Sequence, residues 1–246
     1  MGWASTFVLG LLVTSCVFLA VLVWAEWVQP HPMLDLRLFR SRVFSLAVAS
    51  SVLNVGCVYA ALFLMPFYLI QARGFSPATA GLLFSAQPLG VVIATPVTGY
   101  LYQRLGYRVL ATSGTVAVAA GLFALHGLDL QSGPAEMMLP MALIGMGNGL
   151  FVTPAAITIM GAAPREAQGV ANGMVSTARN LGLVFGVAFA GALFSMQMAA
   201  PGPSQSDPGA VFIGAFQGTL LVLAVTAVLT ASMTLVSGPA SRSKFL

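Results

Sequence analysis

The run Val43–Ile70, VFSLAVASSVLNVGCVYAALFLMPFYLI, contains no charged side chain. A helix rises about 1.5 Å per residue, so about 20 apolar residues cross the roughly 30 Å of a bilayer's hydrocarbon. The run lacks the strict polar–apolar alternation of a barrel strand, so its backbone hydrogen bonds must close within a helix. Similar runs recur at about Phe7 to Trp24, Ala78 to Leu101, Val109 to Leu128, Met137 to Met160, Gly169 to Met198 and Ala210 to Val236. Prolines 66, 88, 96 and 154 fall inside these runs, where neighbouring helices can satisfy the carbonyls a proline frees. Composition agrees, with 58% of the residues hydrophobic and 7% charged, against about 25% charged in an average soluble domain. The expected class is an all-α integral membrane protein with about seven transmembrane helices.

The loops give an orientation. After the first, third, fifth and seventh runs come Arg37, Arg40 and Arg42, then Arg104 and Arg108, then Arg165, then Arg242 and Lys244. The opposite loops hold Arg73 with Asp129, Glu136 and Asp207. Basic loops stay on the cytoplasmic side, so the C-terminus is expected in the cytoplasm and Met1 outside. These short basic loops orient the chain and imply no nucleic acid. Met1 to Thr6 lacks the positive charge of a signal peptide, so the first run reads as a true span. An exported N-terminus without a leader suits a protein whose preceding spans are missing. Cys16 and Cys57 lie in separate runs and make neither a disulfide framework nor a metal-ligand spacing. No cofactor and no metal are expected. With no nucleophile constellation and no phosphate loop between a strand and a helix, neither is an enzyme.

Several stretches together resemble the C-terminal half of a fourteen-span multidrug:proton antiporter of the major facilitator superfamily. They are His31-Pro-Met-Leu-Asp-Leu-Arg-Leu-Phe-Arg-Ser-Arg42, Gly74-Phe-Ser-Pro-Ala-Thr-Ala-Gly81, Gln87-Pro-Leu-Gly90 and Thr98-Gly-Tyr-Leu-Tyr-Gln-Arg-Leu-Gly-Tyr-Arg108. Gly145-Met-Gly-Asn-Gly149, Gly169-Val-Ala-Asn-Gly173 and Ala178-Arg-Asn-Leu-Gly182 complete the ordered set. The resemblance implies a linker helix and cytoplasmic loop over 1–42, a six-helix bundle over 43–236 and a cytoplasmic tail over 237–246. It also implies two three-helix repeats, at about 43–128 and 137–236. In the family, the loop that Gly99, Arg104, Gly106 and Arg108 match supports gating. Gln103 stands at its acidic position, so here the two arginines either gate or only fix topology.

Within the runs, Asn54, Gln87 and Asn148 are polar groups at mid-span. They either glue helices or line a cavity. Phe84 precedes Gln87 by three residues and Phe151 follows Asn148 by three, so each amide shares a helical face with an aromatic ring. That pairing suits greasy cations or amphiphilic drugs. Arg179 lies about ten residues into its run, either as a functional intramembrane charge or as an arginine snorkelling to the boundary. Ala178, Gly182, Gly186 and Ala190, and likewise Gly145 and Gly149, recur every four residues and read as close-packing seams. His126, near an outer span end, is interfacial or proton-coupling. All six carboxylates (Glu26, Asp35, Asp129, Glu136, Glu166, Asp207) fall at span ends or in loops. Family analogy therefore puts the proton-carrying group in the other half.

The functional expectation is one half of an exporter of hydrophobic drugs by proton antiport, in the cytoplasmic (inner) membrane. Its expected partners are membrane lipid, a hydrophobic small molecule, and a missing N-terminal half or a second copy. The alternatives are a complete small permease that dimerises and a truncated membrane protein that does not transport.

Overall fold

The computed structural model describes residues 6–28, 41–161, 168–199 and 208–236. The chain divides into two compact units, 1–37 and 38–246. In the first, α1 (Thr6–Val28) is a 23-residue helix about 35 Å long. Val13, Phe18 and Trp24 are exposed along it.

In the second unit, α2 (Arg42–Pro66) starts at Ser41, whose Oγ accepts from the Phe44 N–H, 3.5 Å away. Pro66 offers no N–H to the Leu62 carbonyl, and the helix widens into a π-helical turn over Phe67–Ala72. Gly74, at φ 66°, turns the chain into α3 (Pro77–Phe84), capped by Ser76. Then follow α4 (Ala86–His126), α5 (Pro134–Gly161), α6 (Gln168–Ala199) and α7 (Pro208–Val236). The division at Ser85 has a local cause: Pro88 lacks the N–H that would reach the Phe84 carbonyl. Ser85 itself stays helical at φ −63°, ψ −16°.

Pro77–His126 spans 50 residues, or about 75 Å of straight helix, far more than one crossing needs. Gly106 resolves this, with φ 73° and ψ 178° in the middle of α4. Only glycine adopts that conformation readily, and the chain reverses there. Gly145 of α5 packs on Gln87 and Gly149 on Ala94, while Gly147 packs on Gly114 and Gly121 on Ile144. Rising numbers in α5 thus meet rising numbers in the first half of α4 and falling numbers in the second. The third and fourth runs are therefore separate antiparallel crossings joined by a tight hairpin.

Hydrogen bonds show which ends lie together. Ser50 Oγ is 3.3 Å from Tyr107 Oη, and Thr112 Oγ1 is 2.9 Å from Thr234 Oγ1. The start of α2, the Gly106 reversal and the end of α7 thus share one end, with Arg42, Arg104 and Arg108. At the other end Tyr68 Oη donates to the Asp129 carbonyl at 2.6 Å, and Arg73 donates to the Ser132 carbonyl at 2.7 Å. The Gln217 side chain donates to the Leu128 carbonyl there, at 2.9 Å.

Two apolar clusters hold the bundle. One, around Leu64, Tyr68, Leu122, Met141 and Phe216, includes the stacked rings of Tyr68 and Phe216 at 4.8 Å. The other joins Phe44, Tyr107, Phe151, Ile159 and Ala178 nearer the Gly106 reversal. The small-residue seams pack as the spacing implies. The buried residues of α6 are Ala171, Ala178, Gly182, Gly186 and Ala190, and Gly186 meets the backbone of Gly56 in α2. Without side chains in the way, helices approach until their backbones touch. No strand occurs among the described residues, and the chain is an all-α membrane bundle.

Candidate functional site

A cavity of about 320 Å³ opens among α2, α4, α5 and α6. Each helix lends residues at four-residue spacing, one turn apart on one face: Ser51, Val55 and Tyr59; Val91 and Thr95; Asn148 and Val152; Val175 and Arg179. Phe151 closes the wall and is itself fully buried. The lining is a mainly apolar surface with a few polar anchors, the usual make-up of a small-molecule site.

Of the residues singled out from the sequence, Asn148, Phe151 and Arg179 line this cavity. Asn54 stands behind it, 1% exposed, and its Nδ2 donates to Asn148 Oδ1 at 3.3 Å. The Asn54 side-chain Oδ1 is buried with no partner. A buried polar atom left unpaired is costly, so this amide pair both joins α2 to α5 and keeps polarity at the cavity's back wall.

Gln87 and Phe84 lie elsewhere. Gln87 is buried where its backbone meets Gly145. Phe84 lines a separate crevice of about 210 Å³ with Pro66, Leu69, Ile70 and Pro77. Their shared helical spacing does not put them in one pocket, because α5 covers the Gln87 side and leaves Phe84 facing the crevice.

Arg179 follows eleven residues of α6, about 16 Å from its start. Its side chain is exposed, and Nη2 donates to Tyr59 Oη at 3.4 Å. Among the described residues no carboxylate lines the cavity, and the guanidinium is the only charge on its wall.

In the Gly99–Arg108 segment, Gly106 makes the reversal and Gly99 is exposed. The Arg104 guanidinium sits over the Tyr100 ring, 5.1 Å from its centroid, and Arg108 is exposed. The chain geometry accounts for Gly106 without any appeal to gating.

At the opposite end the loop between α4 and α5 is tightly tied. Asp129 accepts from the Gln131 N–H at 2.7 Å and from Ser132 Oγ at 3.0 Å. These bonds, the first of them above all, hold its carboxyl below the usual carboxylate range. His126 Nδ1 lies 2.9 Å from the Gln217 carbonyl oxygen, which makes this histidine an interhelical tie at the boundary. Glu136 Oε2 accepts from the Gly133 N–H at the start of α5. Arg37, Asp35, Arg165, Glu166, Asp207, Arg242 and Lys244 lie outside the described residues.

The sequence reading missed Ser51, Tyr59 and Thr95. The signal was present, because Ser51-Val55-Tyr59 and Val91-Thr95 are four-residue series beside the amides already noticed. Small hydroxyls in apolar helices are too common to stand out until a neighbouring helix faces them.

An antiparallel bundle with a polar-anchored cavity between its helices has the architecture of a membrane transporter, and comparison with known proteins agrees. The model of the Major Facilitator Superfamily matches residues 1–187. The chain belongs to that superfamily of transporters. It is 36% identical over 187 residues to the uncharacterized transporter YebQ of Escherichia coli, covering 76% of this chain and 41% of that protein. It is 33% identical over 199 residues to the multidrug resistance protein Stp of Mycobacterium tuberculosis, covering 81% of this chain and 37% of the relative. The tetracenomycin C resistance and export protein of Streptomyces glaucescens is 27% identical over 197 residues, covering 80% of this chain and 37% of the relative. The chain thus spans about two-fifths of the length of these relatives.

Proposed function

We propose that this chain forms the six-helix C-terminal bundle (43–236), with its linker helix (1–42), of a fourteen-span exporter of hydrophobic compounds driven by proton antiport. The bundle sits in the cytoplasmic membrane with the C-terminus inside, the placement that the basic end of the bundle supports. The cavity among α2, α4, α5 and α6 is the observation that carries the reading. It supplies one wall of the substrate site, with Asn148 and Phe151 in contact and Asn54 behind them. Two relatives, one named for multidrug resistance and one for tetracenomycin C resistance and export, support the substrate class. Alternating access rocks one bundle against another around a central site, so transport needs a second bundle, from another polypeptide segment or a second copy. Arg104 and Arg108 hold the cytoplasmic face in place beside it.

The test is a chimera in which this chain replaces the matching two-fifths of a full-length relative, expressed in a drug-sensitive host. Resistance above the empty-vector level, reduced by Asn148→Leu at equal expression, is the expected result. A chimera that reaches the membrane in normal amount yet confers no resistance to any hydrophobic compound refutes the assignment.

A further inference from the structure

We infer that the cavity selects amphiphiles bearing a negative charge, of the aryl carboxylate type, and that Arg179 is the residue that reads it. The inference deepens the proposed function and rests on the cavity being a substrate wall. Among the described residues that line it Arg179 alone is charged, and no carboxylate balances it. An approaching cation meets repulsion that no lining carboxylate among the described residues offsets, whereas a carboxylate gains a charge-assisted hydrogen bond.

The neutral groups point the same way. Tyr59 Oη accepts from Arg179, which leaves the phenol proton free to donate. Asn148 Oδ1 is occupied by Asn54 Nδ2, which leaves the Asn148 NH2 as its free group on the wall. Ser51 and Thr95 spend their hydroxyl protons on the Ala47 and Val91 carbonyls of their own helices. The Thr153 and Ser176 hydroxyls also line the wall, so the cavity offers a cation and several neutral donors, and its acceptors are uncharged. Val55, Val91, Phe151, Val152 and Val175 take an apolar body. The amide–aromatic pairing alone suited greasy cations; the arginine on the same wall reverses the sign.

The probes are 2-naphthaleneacetate and 2-naphthylmethylammonium, of similar shape and opposite charge. Binding is measured by equilibrium dialysis against the full chain in a neutral detergent, with protein-free micelles as the blank. The carboxylate is expected to bind about tenfold or more tightly than the ammonium, the scale of one hydrogen bond to a charged group. Arg179→Gln should bring the two within about twofold, Arg179→Lys should keep most of the preference, and Arg104→Gln should leave it intact. Arg179 is exposed, so these variants do not put the fold at risk. Equal binding, an ammonium preference, or a preference that survives Arg179→Gln overturns this inference and leaves the cavity reading standing. Failure of both probes to bind above the blank overturns the cavity reading with it.

Discussion

Gly186→Ala tests whether the α2–α6 seam is packed backbone to backbone. A Cβ at position 186 would stand 2.6 Å from the Gly56 Cα and 2.7 Å from its carbonyl carbon, in conflict also with that carbonyl oxygen. Ordinary contact begins near 3.4 Å, so the helices must part by roughly 1 Å. The three nearest atoms, all of Gly56, are backbone, so no flexible side-chain end can yield there. Overpacking of this kind costs about 1–3 kcal/mol, against which the helix gains about 1 kcal/mol from replacing glycine. Gly173→Ala, in the same helix, has nothing within 4 Å of its added carbon and keeps only the gain. The two variants should differ by about 2 kcal/mol, which at about 2–4 °C per kcal/mol for a chain of this size separates their Tm values by about 4–8 °C. Cys57, 2% exposed and next to Gly56, supplies the assay: thermal unfolding followed by a thiol-reactive dye, in a Cys16→Ser background. A Gly186→Ala protein that melts with or above Gly173→Ala refutes the close-approach reasoning.

Two further outcomes follow from the geometry. Gly106→Ala should destabilise by about 1–3 kcal/mol, because φ 73° with ψ 178° is open essentially to glycine alone; a change within 0.5 kcal/mol of zero, read by the same dye assay, contradicts the hairpin. For the topology, Ser41→Cys and Gln103→Cys should both resist a membrane-impermeant thiol reagent applied outside whole cells, while Gln131→Cys reacts, since the first two lie at the basic end and the third at the other. Outside labelling of the first two inverts the bundle.

The fold was legible because apolar length is a local property, and α2, α5, α6 and α7 match their runs to within a few residues. The third and fourth runs were also separable, yet the join proved to be a reversal at Gly106 inside nearly unbroken helix, and a positive φ at a glycine leaves no mark in composition. The site was legible only in part. Asn148 and Arg179 stood out as polarity out of place, and both line the cavity. Gln87 stood out for the same reason and lies outside this cavity, buried where its backbone meets Gly145, because which side α5 covers is decided by Gly145 and Gly149 on another helix. Tyr59 and Thr95 were invisible for the converse reason: alone they are ordinary, and only Arg179 and Asn148 across the cavity give them a role. The Tyr68 and Arg73 ties to the 127–133 loop likewise join residues about sixty apart in sequence, and no local pattern predicts them.

The central claim, that this bundle is one wall of a proton-driven exporter and not the whole machine, meets its most direct test in proteoliposomes. The purified chain is reconstituted alone, a pH gradient is imposed, and a fluorescent hydrophobic compound is followed beside liposomes containing the active chimera. The expected result is gradient-driven, protonophore-sensitive movement with the chimera and none with the chain alone, because the carboxylates among the bundle's described residues, Asp129 and Glu136, lie in a loop and a first helical turn and offer no proton path through it. Gradient-dependent movement by the chain alone, abolished by a protonophore and absent from empty liposomes, contradicts it.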